Sequence, residues 1–374
     1  MSTFARMNEI MDGLNGMHPF TSAILLWFEN NGRELPWRGI GDPYAIWLSE
    51  VILQQTRVKQ GWDYWERFMR RWPSVEKLAQ ATEDEVLREW QGLGYYSRAR
   101  NLHHAARQVV ERGGFPRTLE GLRQLKGVGE YTAAAIASFA FGQQVAVVDG
   151  NVYRVLARHF GLHTPINSTE GKKDFALLAQ QLLPEKRAAD FNQAMMDFGA
   201  VMCMPKAPGC GVCPLKETCW AWSENKVETL PVKLKKLKVK ERKMTYVYVA
   251  CKGETAMHRR GEGDIWQGLW EPWLLEGDEA STVLENGLGK DKAAGRMTLL
   301  AKEVKHVLTH RVIKADFYYY EVEEKPRMPE GYRWIPENHI DGYAVPRLVE
   351  IFLQMIGEWR NTFHDKGATL MIKK

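Results

Sequence analysis

Up to residue 222, apolar residues recur mostly at three- and four-residue spacing; beyond residue 243, two stretches alternate apolar and polar instead. Pro43 to Trp72, PYAIWLSEVILQQTRVKQGWDYWERFMRRW, carries the helical period, with a proline near its start where a first turn tolerates one. SRARNLHHAARQVVERGG (97–114) keeps that period and stops at a glycine pair. GEYTAAAIASFAFG (129–142) is alanine-rich and closes on Gly142, and FNQAMMDFGAVMC (191–203) runs directly into a loop crowded with cysteine. TYVYVAC (245–251) and ADFYYYEVE (315–323) read as strands, and RLVEIFLQMIGEW (347–359) as a further helix. The pattern predicts an all-helical part, a cysteine loop, a connector and an α+β part, without an internal repeat.

Composition changes this picture little. A hydrophobic fraction of 45% supports real cores, and 374 residues suit two or three domains. Net charge is +5 with a pI near 8.8, which permits a polyanionic partner without requiring one. Charge is concentrated in Ser223 to Lys243, SENKVETLPVKLKKLKVKERK, where eight Lys/Arg face three Glu. The stretch reads as a solvated connector or as a tether touching a phosphate backbone. Expected boundaries are 1–222 for the helical part, 223–243 for the connector and 244–374 for the α+β part. MSTFARMNEIMDGLNG has no apolar run of signal-peptide length, and no stretch approaches a membrane span, so a cytoplasmic chain with reduced thiols is expected.

Four of the five cysteines lie within CMPKAPGCGVCPLKETC: Cys203, Cys210, Cys213 and Cys219. Reduced thiols at C-x6-C-x2-C-x5-C spacing suit a metal. Structural zinc favours two close pairs and iron–sulfur clusters also use four thiolates, so spacing leaves both open. Cys251, in YVYVAC, reads as a core residue.

Leu125-Lys126-Gly127-Val128-Gly129 precedes a helix. A Gly-x-Gly turn there exposes backbone N–H groups that bind phosphate without reading a base, with Val128 pinning the turn to the core. L-x-G-V-G-x-x-T-A is the helix–hairpin–helix pattern. Asp149, in VVDGNVYRV, suits a helix N-cap, and a cap alone would explain it. Glu50 lies in the apolar run AIWLSEVIL, where burial would keep it protonated, unless it is a paired structural residue.

LKGVGEYTA, VVDGNVYRVLAR and the cysteine loop together resemble the endonuclease III superfamily of DNA glycosylases. LPWR (35–38), PYAIWLSEVILQQT (43–56), GLGYYSRARNL (92–102) and FNQAMMDFGAVMC resemble its adenine-specific, MutY-type branch. The likeness runs from about Asn31 to the C-terminal end and is densest from Leu35 to Cys219. It implies a helix–hairpin–helix core followed by a Nudix-like domain, a [4Fe–4S] cluster on the four cysteines, and a nucleoid-associated monomer. The implied substrate is double-stranded DNA with adenine opposite 8-oxoguanine or guanine.

The resemblance assigns residues too. Glu50 would protonate the adenine, and Asp149, held ionised by helix N–H groups, would stabilise or capture the sugar cation. Bifunctional relatives carry a Schiff-base lysine where this chain has Tyr131. A monofunctional enzyme is therefore implied, with Tyr131 near Asp149 and Asn151 beside it. The alternative is a bifunctional glycosylase/lyase for oxidised pyrimidines. Trp37 and Arg38 match adenine-pocket positions, as does Gln193, where some relatives have Glu. Gln55 and Tyr95 match the residues that fill the gap left by a flipped base, with Tyr96 one position away. Leu308-Thr309-His310 matches the loop that reads 8-oxoguanine, although relatives often have Phe-Ser-His. GLWEPWLLEGDEAS breaks the Nudix catalytic pattern, so no nucleotide hydrolysis is expected.

Overall fold

The structure, a computed structural model, describes residues 17–234, 239–276 and 295–371. The N-terminal stretch read for a signal peptide, residues 235–238 of the connector and the end of GLWEPWLLEGDEAS lie outside the described residues. Internal packing divides the chain into two units. One holds residues up to 80 and from 104 through the cysteine loop; the other holds 81–103 and the chain from 239 on.

Helices in chain order are α1 (Pro19–Asn31), α2 (Pro43–Ile52), α3 (Val58–Arg71), α4 (Val75–Gln80), α5 (Glu83–Trp90), α6 (Ser97–Glu111), α7 (Leu119–Arg123), α8 (Glu130–Phe141), α9 (Gly150–Phe160), α10 (Thr169–Leu182), α11 (Ala188–Asp197) and α12 (Trp220–Ser223). The periodic run from Pro43 to Trp72 is two helices. Leu53 to Arg57 break it, with Gln55 in the left-handed region at φ 56°.

Helix α2 starts where Asp42 accepts from the Tyr44 N–H at 2.9 Å, with Pro43 supplying a fixed φ and no orphan donor. From Tyr44 to Ile52 every residue of α2 is buried, which is why its sequence is almost continuously apolar. It packs against α8, whose buried Ala133, Ala134, Ala135 and Ala137 keep the two backbones close. Helix α9 runs through the larger helical core, among Phe20, Ile24, Phe175, Leu178 and Phe198. Residues 227–232 also pack on this core. Leu230 is 2% exposed, and the Ile166 N–H donates to the Val232 carbonyl at 3.0 Å. The first half of the expected connector is thus part of the helical unit, because it carries apolar anchors between its charges.

The second unit is built on a mixed sheet, seven-stranded among the described residues: β1 (Lys240–Cys251), β2 (Glu254–Arg259), β3 (Trp270–Glu271), β4 (Trp273–Leu275), β5 (Gly295–Val307), β6 (Arg311–Val322) and β7 (Tyr332–Pro336). Order along the main path is β3-β2-β1-β6-β5; β4 also pairs with β1, and β7 with β2. Strands β1 and β6 are parallel from Lys240↔Arg311 to Ala250↔Glu321. Four residues assigned to the connector, 240–243, are therefore sheet. Both faces of β1 are covered. Met244, Tyr246, Tyr248 and Ala250 face one cluster, and Val247, Val249 and Cys251 face the other, with the period of two that a strand imposes. Helix α13 (Arg347–Met371) closes the first cluster with Leu348, Val349, Phe352 and Ile356; Phe352 stacks on Phe317 at 4.5 Å. Cys251 is buried and free, a core residue as expected.

Residues 81–103 group with this sheet, not with the helical unit. Arg100 Nη1 donates to the Gln267 carbonyl at 2.6 Å, Arg259 pairs with Glu83 and Asp84 at 2.9 and 3.0 Å, and Gln91 Nε2 donates to Glu350 Oε1. These partners are about 170 to 260 positions away in the chain, so no local pattern announces them.

Candidate active site

A cavity of about 1100 Å³ opens in the helical unit. Trp37, Arg38, Glu50, Gln55, Gly127, Gly129, Tyr131, Asp149, Asn151 and Gln193 all line it, so ten residues singled out in the sequence meet at one place. Val128 is buried behind the hairpin, at 6% exposure, and Gly127 takes the left-handed φ of 76° that a residue with a Cβ resists.

Glu50 projects from α2 and is 6% exposed. The Tyr131 hydroxyl donates to its Oε2 at 2.7 Å. Burial pushes the Glu50 carboxyl up to about 7 and the Asp149 charge adds to this, while the Tyr131 hydrogen bond and the Arg38 charge oppose it. Tyr131 lines the same cavity as Asp149, where it was expected, and its hydrogen bond goes to Glu50. Desolvation and then the facing carboxyls of Glu50 and Asp149 hold its hydroxyl well above the ordinary phenol value, so it serves as a donor.

Asp149 is the N-cap of α9. Its Oδ1 accepts from the Asn151 and Val152 N–H groups, each at 2.8 Å, and its Oδ2 accepts from Asn151 Nδ2 at 2.8 Å. All three contacts use it as an acceptor, the geometry of a carboxylate. Burial nonetheless pushes its carboxyl upward, against those bonds and the Arg154 charge. The expectation from sequence counted only the cap and omitted desolvation.

Several residues that organise the site were not legible. Arg154 donates through Nη2 to Asn151 Oδ1 at 2.8 Å and through Nε to the Cys203 carbonyl at 2.7 Å, joining the cavity to the cysteine loop. Gly199 lies in a π-helical turn, Phe198–Met202, after α11; a Cβ there would sit 2.6 Å from that of Asn151, so only glycine lets the turn approach. Asp197, at the end of α11, is 0% exposed and binds Arg33 and Arg38, whose positions are 164 and 159 residues away. No local sequence signal could have found these pairings.

Cys203, Cys210, Cys213 and Cys219 line a second, small cavity in the helical unit, about 30 Å³, with Arg158, His159, Phe198 and Leu215. Arg158 Nη1 reaches Cys203 Sγ at 3.4 Å. His159 Nδ1 is buried without a protein partner, and burial lowers its ring to about 4, so the ring is neutral. Among the described residues no three His, Cys, Asp or Glu side chains converge on a single ion. Four soft thiols lining one cavity are a donor set that suits a thiophilic metal or an iron–sulfur group. Burial pushes the Cys213 thiol up to about 11, so ligation has to displace protons.

Tyr95, Leu308, Thr309 and His310 belong to the other unit. Tyr95 is 47% exposed with a left-handed φ of 47°, whereas Tyr96 is buried, which separates the two neighbours. The turn joining β5 to β6 is closed by Leu308 N–H to the Arg311 carbonyl at 2.8 Å. Leu308 packs on the sheet core, Thr309 and His310 are exposed, and the Thr309 and Tyr95 hydroxyls meet at 2.5 Å.

A helical hairpin beside a two-carboxyl cavity, with a cysteine loop behind it, defines a helix–hairpin–helix glycosylase core. The family model of the HhH-GPD superfamily base excision DNA repair protein matches residues 48–182, and a NUDIX domain model matches 245–355. An adenine DNA glycosylase of Buchnera aphidicola (subsp. Baizongia pistaciae) is 33% identical over 78% of this chain and 83% of its own length. One from Mus musculus is 47% identical over 54% of this chain and 42% of its own. A solved thermostable thymine-DNA glycosylase is 30% identical, with a TM-score of 0.52, over 60% of this chain and all of its own. An endonuclease III–DNA complex, 21% identical with a TM-score of 0.50, shares the fold over 60% of this chain and 99% of its own. The chain belongs to the adenine DNA glycosylase family. It spans about two-fifths of the length of the mammalian members it matches. Among the described residues no helix is long and apolar enough to cross a membrane.

Proposed function

We propose that this protein removes adenine paired with 8-oxoguanine, or with guanine, from double-stranded DNA and leaves an abasic site. The observation that carries the reading is the pairing of Glu50 and Asp149 in one cavity. Glycosidic cleavage needs a proton for the leaving base and negative charge beside the sugar as its anomeric carbon becomes cationic. With its carboxyl near 7, Glu50 retains a large protonated fraction at neutral pH. Tyr131 donates to Oε2, which leaves Oε1 to carry the proton delivered to adenine. Asp149 faces the developing cation, its carboxylate fixed by Asn151 and Val152. Water then adds to the anomeric carbon and gives up a proton to a carboxylate of the cavity, Glu50 having been left ionised by its transfer to adenine. Tyr131 has no amine to form an imine, so the strand is left unbroken. Relatives named adenine DNA glycosylases support adenine as the base.

The test is a duplex with adenine opposite 8-oxoguanine. Strand breakage only after alkali supports the reading; breakage without alkali points to a bifunctional enzyme, and no abasic site at all refutes it.

Trp37, Arg38 and Gln193 form the adenine pocket, and the Gly127–Gly129 turn holds a phosphate. Gln55, in the helical unit, fills the gap left by the flipped base, and Tyr95 is the matching candidate in the other unit; both are exposed and hold strained left-handed backbones. Thr309 and His310 read the oxidised partner. Its N7–H donor is absent from guanine, and a hydroxyl accepts from it. A good base-edge contact discriminates by roughly 1–3 kcal/mol. The Thr309→Ala, His310→Ala double variant is therefore expected to narrow the preference for 8-oxoguanine over guanine by roughly ten-fold or more, without stopping chemistry. Binding and excision on both duplexes at fixed salt measure it; an unchanged preference would move lesion reading to Gln55 and Tyr95.

Cys203, Cys210, Cys213 and Cys219 hold a [4Fe–4S] cluster, which when bound ties the 203–219 loop together behind Arg154. The purified protein is expected to be yellow-brown and to contain iron. Replacing any of the four by Ser is expected to bleach the visible absorbance and weaken duplex binding. A colourless, zinc-loaded and fully active preparation would rule the cluster out.

A further inference from the structure

Asp197 has no assigned part in the site, yet it is fully buried and receives five hydrogen bonds from two arginines. Arg38 Nη1 donates to Oδ2 at 2.8 Å and Nη2 to Oδ1 at 2.7 Å, a two-point fork. Arg33 adds its backbone N–H to Oδ2 at 2.9 Å and both Nε, at 2.9 Å, and Nη2 to Oδ1. A second Arg38 bond from Nη1, to the Arg33 carbonyl at 2.7 Å, fixes the plane of the fork. Phe28 lies against the guanidinium, 5.5 Å from ring centre to the central carbon. Arg38 therefore has little rotational freedom, and its charge is partly offset by a buried carboxylate on α11, which it shares with Arg33.

The position of that charge matters because Arg38 and Glu50 line the same cavity. Three groups face Glu50: Tyr131 from α8, Asp149 at the start of α9, and Arg38 from the segment before α2. Two of them, Tyr131 and Arg38, pull its proton off, and the Asp149 charge retains it. Of these only Arg38 is a cation, and an unmatched cation in a desolvated cavity would favour the ionised carboxylate strongly. Two arginines face Asp197, and burial alone would raise its carboxyl; Arg38 and Arg33 more than reverse this and hold it below the ordinary value. It is thus anionic throughout the working range.

We propose that Asp197 is a positioning residue for base excision: it clamps Arg38 at the cavity wall and offsets part of its charge there, so that Glu50 keeps the proton it must deliver. The inference rests on the glycosylase reading and adds a device to it. Removing the Asp197 charge leaves Arg38 unmatched, and the proton on Glu50 is released at lower pH. Removing Arg38 does the opposite. The two changes act on one quantity with opposite signs, which a loss of packing would not produce.

The experiment titrates Glu50 in full-length protein containing ¹³C-labelled glutamate carboxyls, with the Glu50→Gln variant identifying the signal. The pH profile of single-turnover excision from the adenine:8-oxoguanine duplex is measured alongside. Asp197→Asn keeps the shape of the side chain and is expected to lower the Glu50 midpoint and the alkaline limb of the profile by about one pH unit. Excision at pH 8 then falls roughly ten-fold, one pH unit being a ten-fold change in the protonated fraction. Arg38→Met is expected to raise the Glu50 midpoint, and the Asp197→Asn, Arg38→Met double variant to return it toward the parent value. Asp197→Glu is expected to restore most of the parent profile. An unmoved midpoint in Asp197→Asn, or the same direction of change in Asp197→Asn and Arg38→Met, overturns the proposal. Should Asp197→Asn fail to fold, Arg38→Met alone decides, since an unchanged or lowered midpoint contradicts the assigned charge. Parent protein that leaves adenine in place refutes the glycosylase reading, while the carboxyl titration still tests the Asp197 clamp.

Discussion

Glu50→Gln is expected to lower single-turnover adenine excision by roughly 10²–10⁴-fold, the range general acids contribute, while duplex affinity stays within a few-fold. Glutamine keeps the shape and still accepts from the Tyr131 hydroxyl, but it has no proton of suitable acidity to give. The parent rate should be flat below pH 7 and fall about ten-fold per unit well above it, because the carboxyl of Glu50 sits at about 7. In Glu50→Gln the residual rate should lose that limb. The same residue predicts a gain in stability. Its carboxyl is raised from 4.5 in the unfolded chain to about 7 in the fold, so the folded state binds the proton more tightly. Stability is full below pH 4.5 and declines as pH rises from 4.5 through 7, reaching a loss of about 3 kcal/mol above that window. A residue that cannot ionise escapes the loss. Glu50→Gln should therefore melt higher than the parent at pH 8 and near the parent at pH 4. Near-parental excision by the variant would make Glu50 a structural residue. A lower melting temperature at pH 8 would show that the carboxyl is less desolvated than its 6% exposure implies.

What the sequence made legible follows from how local each feature is. The period of α2 and the alternation of β1 and β6 are written in consecutive residues, and each was read correctly in kind. Asp149 was legible as a cap because a cap bonds to the next two residues. The break between α2 and α3 was not, since the apolar period runs on through Leu53 to Arg57 while the backbone at Gln55 turns left-handed. Strands β2 to β5 and β7 carried weaker alternation and went unnamed. The packing of residues 81–103 depends on Gln267, Glu350 and Arg259, far along the chain, and a local pattern cannot hold such information.

The site divides in the same way. Residue types in motif context were enough to gather Trp37, Arg38, Glu50, Tyr131, Asp149, Asn151 and Gln193 into one cavity. Their partners were not. Tyr131 bonds Glu50 across 81 positions, and Arg38 bonds Asp197 across 159. The upward push on the Asp149 carboxyl was not foreseen for the related reason that desolvation is a property of the assembled cavity. A cap can be seen in a tripeptide, whereas burial needs the fold.

Asp149→Asn is expected to lower excision by roughly 10²–10³-fold, the loss typical when a group placed against developing charge is removed. Asparagine is as good an N-cap as aspartate, so the Asn151 and Val152 N–H groups keep an acceptor and α9 keeps its start. Only the negative charge beside the sugar disappears. One contact does turn unfavourable. Oδ2 of Asp149 now accepts from Asn151 Nδ2, and the new amide would set a donor against that donor. Asn151 cannot rotate freely to relieve it, because its Oδ1 is held by Arg154 at 2.8 Å. A buried donor left unmade costs about 1–3 kcal/mol, and the cavity here admits water, so the lower end is expected. Asp149→Ala supplies the contrast. It loses both cap and charge, and the cap alone is worth about 1 kcal/mol of helix stability. The two variants should therefore match in lost activity and differ in how they lose stability. Alanine should weaken hydrogen-exchange protection in the first turn of α9, and asparagine should preserve it. Excision by Asp149→Asn within ten-fold of the parent would leave Asp149 as a helix cap and move stabilisation of the sugar cation to another group in the cavity.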